Sequence, residues 1–145
     1  MNKVEIVKIH VVKERNAYYE TAVITNPGII ADIFSSFLEG ADREHFVVAC
    51  LNNKNKVNAL HTVSIGSINT AIVHPREVFK LAILANAASI IVGHNHPSGD
   101  TKPSQEDLDT TKRLVEAGEV LGIPVLDHII VGDHTFLSLK ERGLL

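Results

Sequence analysis

Two histidines flank a single residue at His94-Asn95-His96, Pro97 follows directly, and Ser104 and Asp107 come shortly after. Imidazole nitrogens and a carboxylate oxygen are the donors of catalytic zinc sites, where three protein ligands leave a fourth position open. On extended backbone, residues i and i+2 project to the same side, so His94 and His96 present both rings together. Pro97 restricts His96 to the extended region and helps hold that geometry. Asp107 falls at the third position of a helix that Ser104 would cap. The same Ser104-x-x-Asp107 spacing is an ordinary capping box. The two roles compete, because one carboxylate oxygen cannot both cap a helix and bind metal strongly. If Asp107 binds metal, Ser104 must carry the cap or face the site itself.

Two neutral imidazoles and one carboxylate would leave a bound zinc ion with net positive charge. Such an ion lowers the pKa of water from about 15.7 to about 7 and polarises a carbonyl. That chemistry still needs a proton acceptor. Asp100 and Glu106 lie near the ligand loop in sequence, and Glu44 lies farther away. Spacing alone does not choose among them.

The elements that must position these residues follow from pattern. Val4 to Val12 alternates loosely and predicts a strand. Asn26-Pro27 opens a helix as N-cap and first residue, with Ile30, Ile33, Phe34, Phe37 and Leu38 at helical spacing and Gly40 suited to its C-terminal cap. Glu44 to Leu51 reads as a buried central strand, Asn52–Asn55 as a turn, and Val57 to Ile65 as the returning strand of a hairpin ending at Gly66. Pro75 starts a second helix whose Val78, Leu81, Ala82 and Ala85 form one apolar face. Ser89 to Gly93 is a short apolar strand that delivers the chain to His94. After the turn-forming run Pro97–Pro103, Ser104 caps a third helix to about Leu121, ended by Gly122. Val125 to Val131 predicts another buried strand, Thr135 to Leu137 a short one, and Leu139 to Leu145 a final helical turn. Helices interleaved with a mixed sheet predict an α/β fold, a three-layer α/β/α sandwich. Residues 1–26 are expected as a strand segment packed on the domain, and residues 27–145 as the domain itself.

The 145 residues suffice for one core. No apolar run is long enough to span a membrane, and no signal-peptide pattern opens the chain, which sets a cytoplasmic expectation. The sole cysteine, Cys50, sits in an apolar strand and reads as a small buried hydrophobe. Net charge is −3 with no basic block, which argues against tight nucleic-acid binding.

At this point the text resembles a known family. His94-x-His96-Pro97, six residues, Ser104, two residues, Asp107 is similar to the metal motif of JAB/MPN (JAMM) metalloproteases. Ala71–Lys80, His94–Gly99 and Leu126–Gly132 resemble the RadC branch of that family. The similarity covers about Pro27 to Leu145. It implies a cytidine-deaminase-like α/β/α sandwich and one zinc ion per chain on His94, His96 and Asp107. It implies Glu44 as the general base and Ser104 as the residue that stabilises a tetrahedral oxyanion. Longer RadC proteins carry an N-terminal helix-hairpin-helix-like region, and about 26 residues precede the first helix here. On this reading the chain is a short form without that part.

Three functions compete. A zinc metallopeptidase would hydrolyse a peptide or isopeptide bond in a protein or peptide substrate. A RadC-type repair or recombination accessory would act on or near nucleic acid. An inactive MPN scaffold ranks last, since such scaffolds lose ligands and this chain keeps them. The string His-Asn-His is not an HNH nuclease signature, whose residues are dispersed along a longer unit. Smaller expectations attach to five further residues. His74 is read as an N-cap, Arg76-Glu77 as a solvated pair, and Asp127-His128 as a satisfied polar pair with support of a metal ligand as its functional option.

Overall fold

A computed structural model describes residues 1–66 and 73–145. The chain runs α1 (Pro27–Phe37), β1 (Glu44–Leu51), β2 (Val57–Gly66), α2 (Pro75–Leu84), β3 (Ser89–Asn95), α3 (Gln105–Leu121), β4 (Val125–Val131) and β5 (Phe136–Ser138). The strands form one sheet in the order β2-β1-β3-β4-β5. β3 and β4 are parallel, and every other neighbouring pair is antiparallel. The fold is therefore α/β with a mixed sheet, as expected.

Side-chain alternation along β1 builds the layers. Phe46, Val48 and Cys50 pack with Val78, Phe79 and Ala82 of α2 and Leu114 of α3. Val47, Ala49 and Leu51 pack with Ile30, Ile33 and Phe34 of α1 on the other face. Because successive side chains of a strand alternate faces, a strand buried on both sides needs a continuous apolar run, and β1 and β3 have one. Gly93 is required by this packing. A Cβ there would lie 2.5 Å from the Phe34 ring, so only glycine lets α1 seat against β3 just before the histidines.

Helix ends follow local chemistry. Asn26 caps α1 by accepting the Ile29 N–H, and Pro27 fills a position that needs no donor. His74 caps α2 by accepting the Arg76 N–H, the structural role expected of it. Gly122 ends α3 in the left-handed region at φ 71°. Arg76 and Glu77 form an exposed 3.7 Å pair, as expected of a solvated one. Of the stretch Ala71–Lys80 quoted for its resemblance, Ala71 and Ile72 lie outside the described residues.

Three expectations are corrected. Val4–Val12 forms no strand, and its apolar side chains are exposed. Alternation specifies a strand only where a partner supplies the backbone bonds, and this segment pairs with nothing among the described residues. Contact with the sheet begins later, where Val23 bridges Lys56 and Tyr19 and Ile24 pack beside α1. The C-cap of α1 is Leu38 rather than Gly40, because the Leu38 N–H already bonds back to Phe34. Gly40 instead holds the following turn at φ 81°. The third correction is the short last strand, which runs Phe136–Ser138 rather than Thr135–Leu137. The tail after β5 closes as a helical turn, as expected, with Arg142 N–H on the Ser138 carbonyl and Leu144 N–H on that of Leu139. No described helix is long and apolar enough to cross a membrane.

Candidate metal centre

The parallel pair β3 and β4 ends where α3 begins, and the start of antiparallel β1 arrives at the same point. Ligand sites of α/β sheets form at such carboxyl ends of parallel strands. His94 is on β3 and fully buried, paired in register with Phe46 of β1 and Ile130 of β4. His96 follows the strand end, held by its N–H on the Val131 carbonyl. Gly132 lets the ligand loop close over β4, since a Cβ there would lie 2.4 Å from the Gly99 carbonyl oxygen.

His94, His96 and Asp107 form a cluster able to hold a metal ion, with one ligand atom from each within 4.8 Å of the others. The two Nε2 atoms are 2.9 Å apart. Asp107 Oδ1 lies 3.3 Å from His94 Nε2, and Oδ2 lies 3.1 Å from His96 Nε2. The competition foreseen at Asp107 is resolved by dividing its oxygens. Oδ2 accepts the Ser104 N–H at 2.9 Å and completes the capping box, while Oδ1 makes no backbone bond.

Hydrogen bonds behind the cluster set the protonation of both rings. His96 Nδ1 faces the Asp100 carbonyl at 2.8 Å, so Nδ1 must carry the proton and Nε2 the lone pair. The tautomer of His94 is fixed through Thr111 and His128. The Thr111 hydroxyl has one proton, and it goes to the Asp107 carbonyl at 2.7 Å. Thr111 Oγ1 must then accept from His128 Nδ1 at 2.6 Å. A neutral His128 thus offers Nε2 as acceptor to His94 Nδ1–H at 2.7 Å. His128 is held neutral by complete burial, with the nearby His94 acting in the same direction. His94 Nε2 is left with its lone pair. Two lone pairs and a carboxylate oxygen then converge on one point with no proton between them. That donor set fits a divalent cation, and among the described residues no side chain donates into it.

In the metal-free fold the same contacts shift the proton affinities of the cluster. The bond to Asp107 raises the His96 pKa, against the opposing effect of burial. Burial pushes Asp107 up, but the bonds from His94 and His96 outweigh it and hold the carboxyl well below its usual range.

Glu44 opens β1 with Oε1 4.0 Å from His94 Nε2, fifty residues away in sequence. Its side chain is only 16% exposed. Burial raises its pKa, partly offset by the nearby His94 imidazole. The other candidate bases are placed elsewhere. Asp100 turns its carboxylate to the Lys102 N–H, and Glu106 is exposed on α3 and makes no contact with the cluster. Ser104 Oγ accepts the Asp107 N–H at 3.1 Å, which leaves its own proton free to be donated.

Sequence reading missed Asn95 and Thr111. Thr111 stands one helical turn after Asp107, a spacing that puts both on one face of α3 and could have signalled it. Asn95 lies between the ligands and bonds only to backbone groups of β1 and the residue before it. Asp127 and His128 do not act as a side-chain pair. Asp127 accepts from Ser138 Oγ, the His128 N–H and the Lys140 N–H, while His128 turns to His94 on the opposite face of β4. Asp127 borders a cleft of about 430 Å³ under α1, lined also by Ile24, Asn26, Ile30 and Lys140.

A family profile described as "RadC-like JAB domain" matches residues 24–144. The chain belongs to the RadC-like JAB family. It is 56% identical over 124 residues to a UPF0758 protein of Caldanaerobacter subterraneus, covering 86% of this chain and 53% of that protein. It is 55% identical over 127 residues to one of Desulforamulus reducens, covering 87% and 56%. A Bacillus cereus relative is 54% identical over 129 residues, covering 89% and 57%. The chain spans about half the length of the curated relatives it matches. The matched range, residues 24–144, contains His94, His96, Asp107, Glu44 and Ser104.

Proposed function

We propose that this RadC-like JAB domain is a zinc-dependent hydrolase that cleaves a peptide or isopeptide bond in a protein or peptide substrate. One zinc ion per chain is held by His94, His96 and Asp107. The observation that carries the reading is the convergence of two proton-free Nε2 atoms and a carboxylate, with Glu44 beside them. Zinc in that position supplies Lewis acidity, activating a water and polarising the scissile carbonyl. Glu44 takes the proton of the attacking water and later passes it to the leaving nitrogen. Its half-buried carboxyl, with raised proton affinity, suits a group that must both accept and donate. Ser104 uses a lone pair for the helix cap and donates its proton to the developing oxyanion.

The substrate class is tested by incubating the zinc-loaded protein with a cell-derived protein mixture and reading new chain termini by mass spectrometry. New termini made by the wild type and absent with Glu44→Gln are expected. Identical termini from both proteins would overturn the reading. Nucleic acid is not the substrate class on this account, given the net charge of −3. A submicromolar dissociation constant for DNA at about 0.15 M salt, weakening steeply as salt rises, would contradict that.

A further inference from the structure

We propose that Asn95 is a positioning residue that holds Glu44 against the metal site. The proposal rests on Glu44 being the general base. The ladder between β1 and β3 ends at Phe46↔His94, so Glu44 lies two residues beyond the last pair. On its other flank Glu44 pairs with Gly66, the final residue of β2. The backbone that carries Glu44 is therefore at the frayed end of both its ladders.

The Asn95 side chain takes over where the ladder stops. Its Oδ1 accepts the His45 N–H at 2.7 Å. Its Nδ2 donates to the Arg43 carbonyl at 3.0 Å. These are the backbone groups on either side of Glu44. One acceptor and one donor on a single planar group reproduce what a strand peptide would offer, and asparagine supplies both. Aspartate lacks the donor, serine is too short to bridge both groups, and glutamine carries the amide one methylene farther out.

Position in the chain gives the contact its consequence. Asn95 is covalently next to both histidine ligands, so one short segment sets the two rings and the backbone of Glu44 together. Movement of the ligand loop would carry the base with it. Displacing a catalytic group by about 1 Å costs as much as about 100-fold, so a two-point clamp has a function beyond closing a strand. The clamp belongs to the fold itself, because the bonds span 50 and 52 residues.

The test uses acetohydroxamate, which chelates a metal through two oxygens and gives up one proton to a neighbouring base. Its affinity for the full zinc-loaded chain is measured by calorimetry, with zinc content and melting curves recorded for each variant. Glu44→Gln should keep the zinc and weaken binding by about 10- to 100-fold, the worth of one hydrogen bond to a charged group. Asn95→Ala should keep the zinc and weaken binding by about tenfold. Asn95→Gln, which retains the amide but shifts it, should weaken it as well. The double variant Glu44→Gln/Asn95→Ala should bind no more weakly than Glu44→Gln alone, because Asn95 acts through Glu44. Wild-type affinity in both Asn95 variants, or additive losses in the double variant, would overturn the proposal while leaving Glu44 as base. An undiminished affinity in Glu44→Gln, or no binding by the zinc-loaded wild type, would overturn the base assignment or the open coordination position, and the proposal with it.

Discussion

Asp107 and Asp127 are both largely buried acids beside a histidine, yet they stand in opposite situations. Asp127 is surrounded by donors: a hydroxyl and two backbone N–H groups aim at its oxygens. Asp107 receives the Ser104 N–H on Oδ2, while Oδ1 faces only His94 Nε2, whose ring carries its proton on the far side. The first carboxylate is satisfied by donors within the fold, and the second is one a cation would complete on the proposed reading. Burial of an acid therefore says little about function. What separates the two is whether the groups facing it donate or accept.

Breaking the open side of the comparison should have the largest effect. A His94→Ala/His96→Ala double variant should lose bound zinc entirely, and Asp107→Asn should weaken it strongly, as read by elemental analysis of protein purified without chelator. Next comes the base. Glu44→Gln should retain zinc and lower turnover of any true substrate by about 10²–10⁴-fold. Full activity in Glu44→Gln alongside a dead Asp107→Asn would send the search for the base to Asp100 or Glu106.

His128 joins the two regions and sharpens the contrast. His128→Phe preserves bulk but removes the acceptor of His94 Nδ1–H, and should cut zinc affinity by about 10–100-fold. Asp127→Asn should leave zinc affinity unchanged and lower folding stability by about 1–3 kcal/mol, measured by denaturant unfolding. A zinc effect at Asp127 equal to that at His128 would erase the distinction.

The smallest effect is that of pH. The His96 pKa is raised in the metal-free fold by its bond to Asp107. Its stabilising contribution is therefore full below the ordinary histidine value of about 6.5 and is lost as pH rises through the raised value. Zinc needs the deprotonated ring, so its affinity moves the other way. The rise in melting temperature on adding zinc should grow from acid to neutral pH. A rise that is constant across this range would show that His96 is not a ligand.

Much of this was legible in the chain because it rests on local rules. Apolar runs and caps located all three helices and the four long strands, and the His-x-His spacing with Ser104-x-x-Asp107 named the candidate ligands. Glu44 was legible only through family resemblance, since its approach to His94 is created by pairing β1 with β3 across fifty residues. Val4–Val12 misled because alternation reports a suitable strand and not the presence of a partner. Asn95 was hidden because its partners are backbone groups, which carry no trace in residue type, and Thr111 because its bond to His128 is made only by the packing of α3 on β4.

The most direct measurement is anomalous diffraction at the zinc edge on crystals of chelator-free protein. One peak is expected per chain, at about 2.0–2.2 Å from His94 Nε2, His96 Nε2 and an Asp107 oxygen, with Glu44 facing the open side. A fully ordered site with no anomalous peak at those three atoms, or a peak held by other residues, would contradict the assignment.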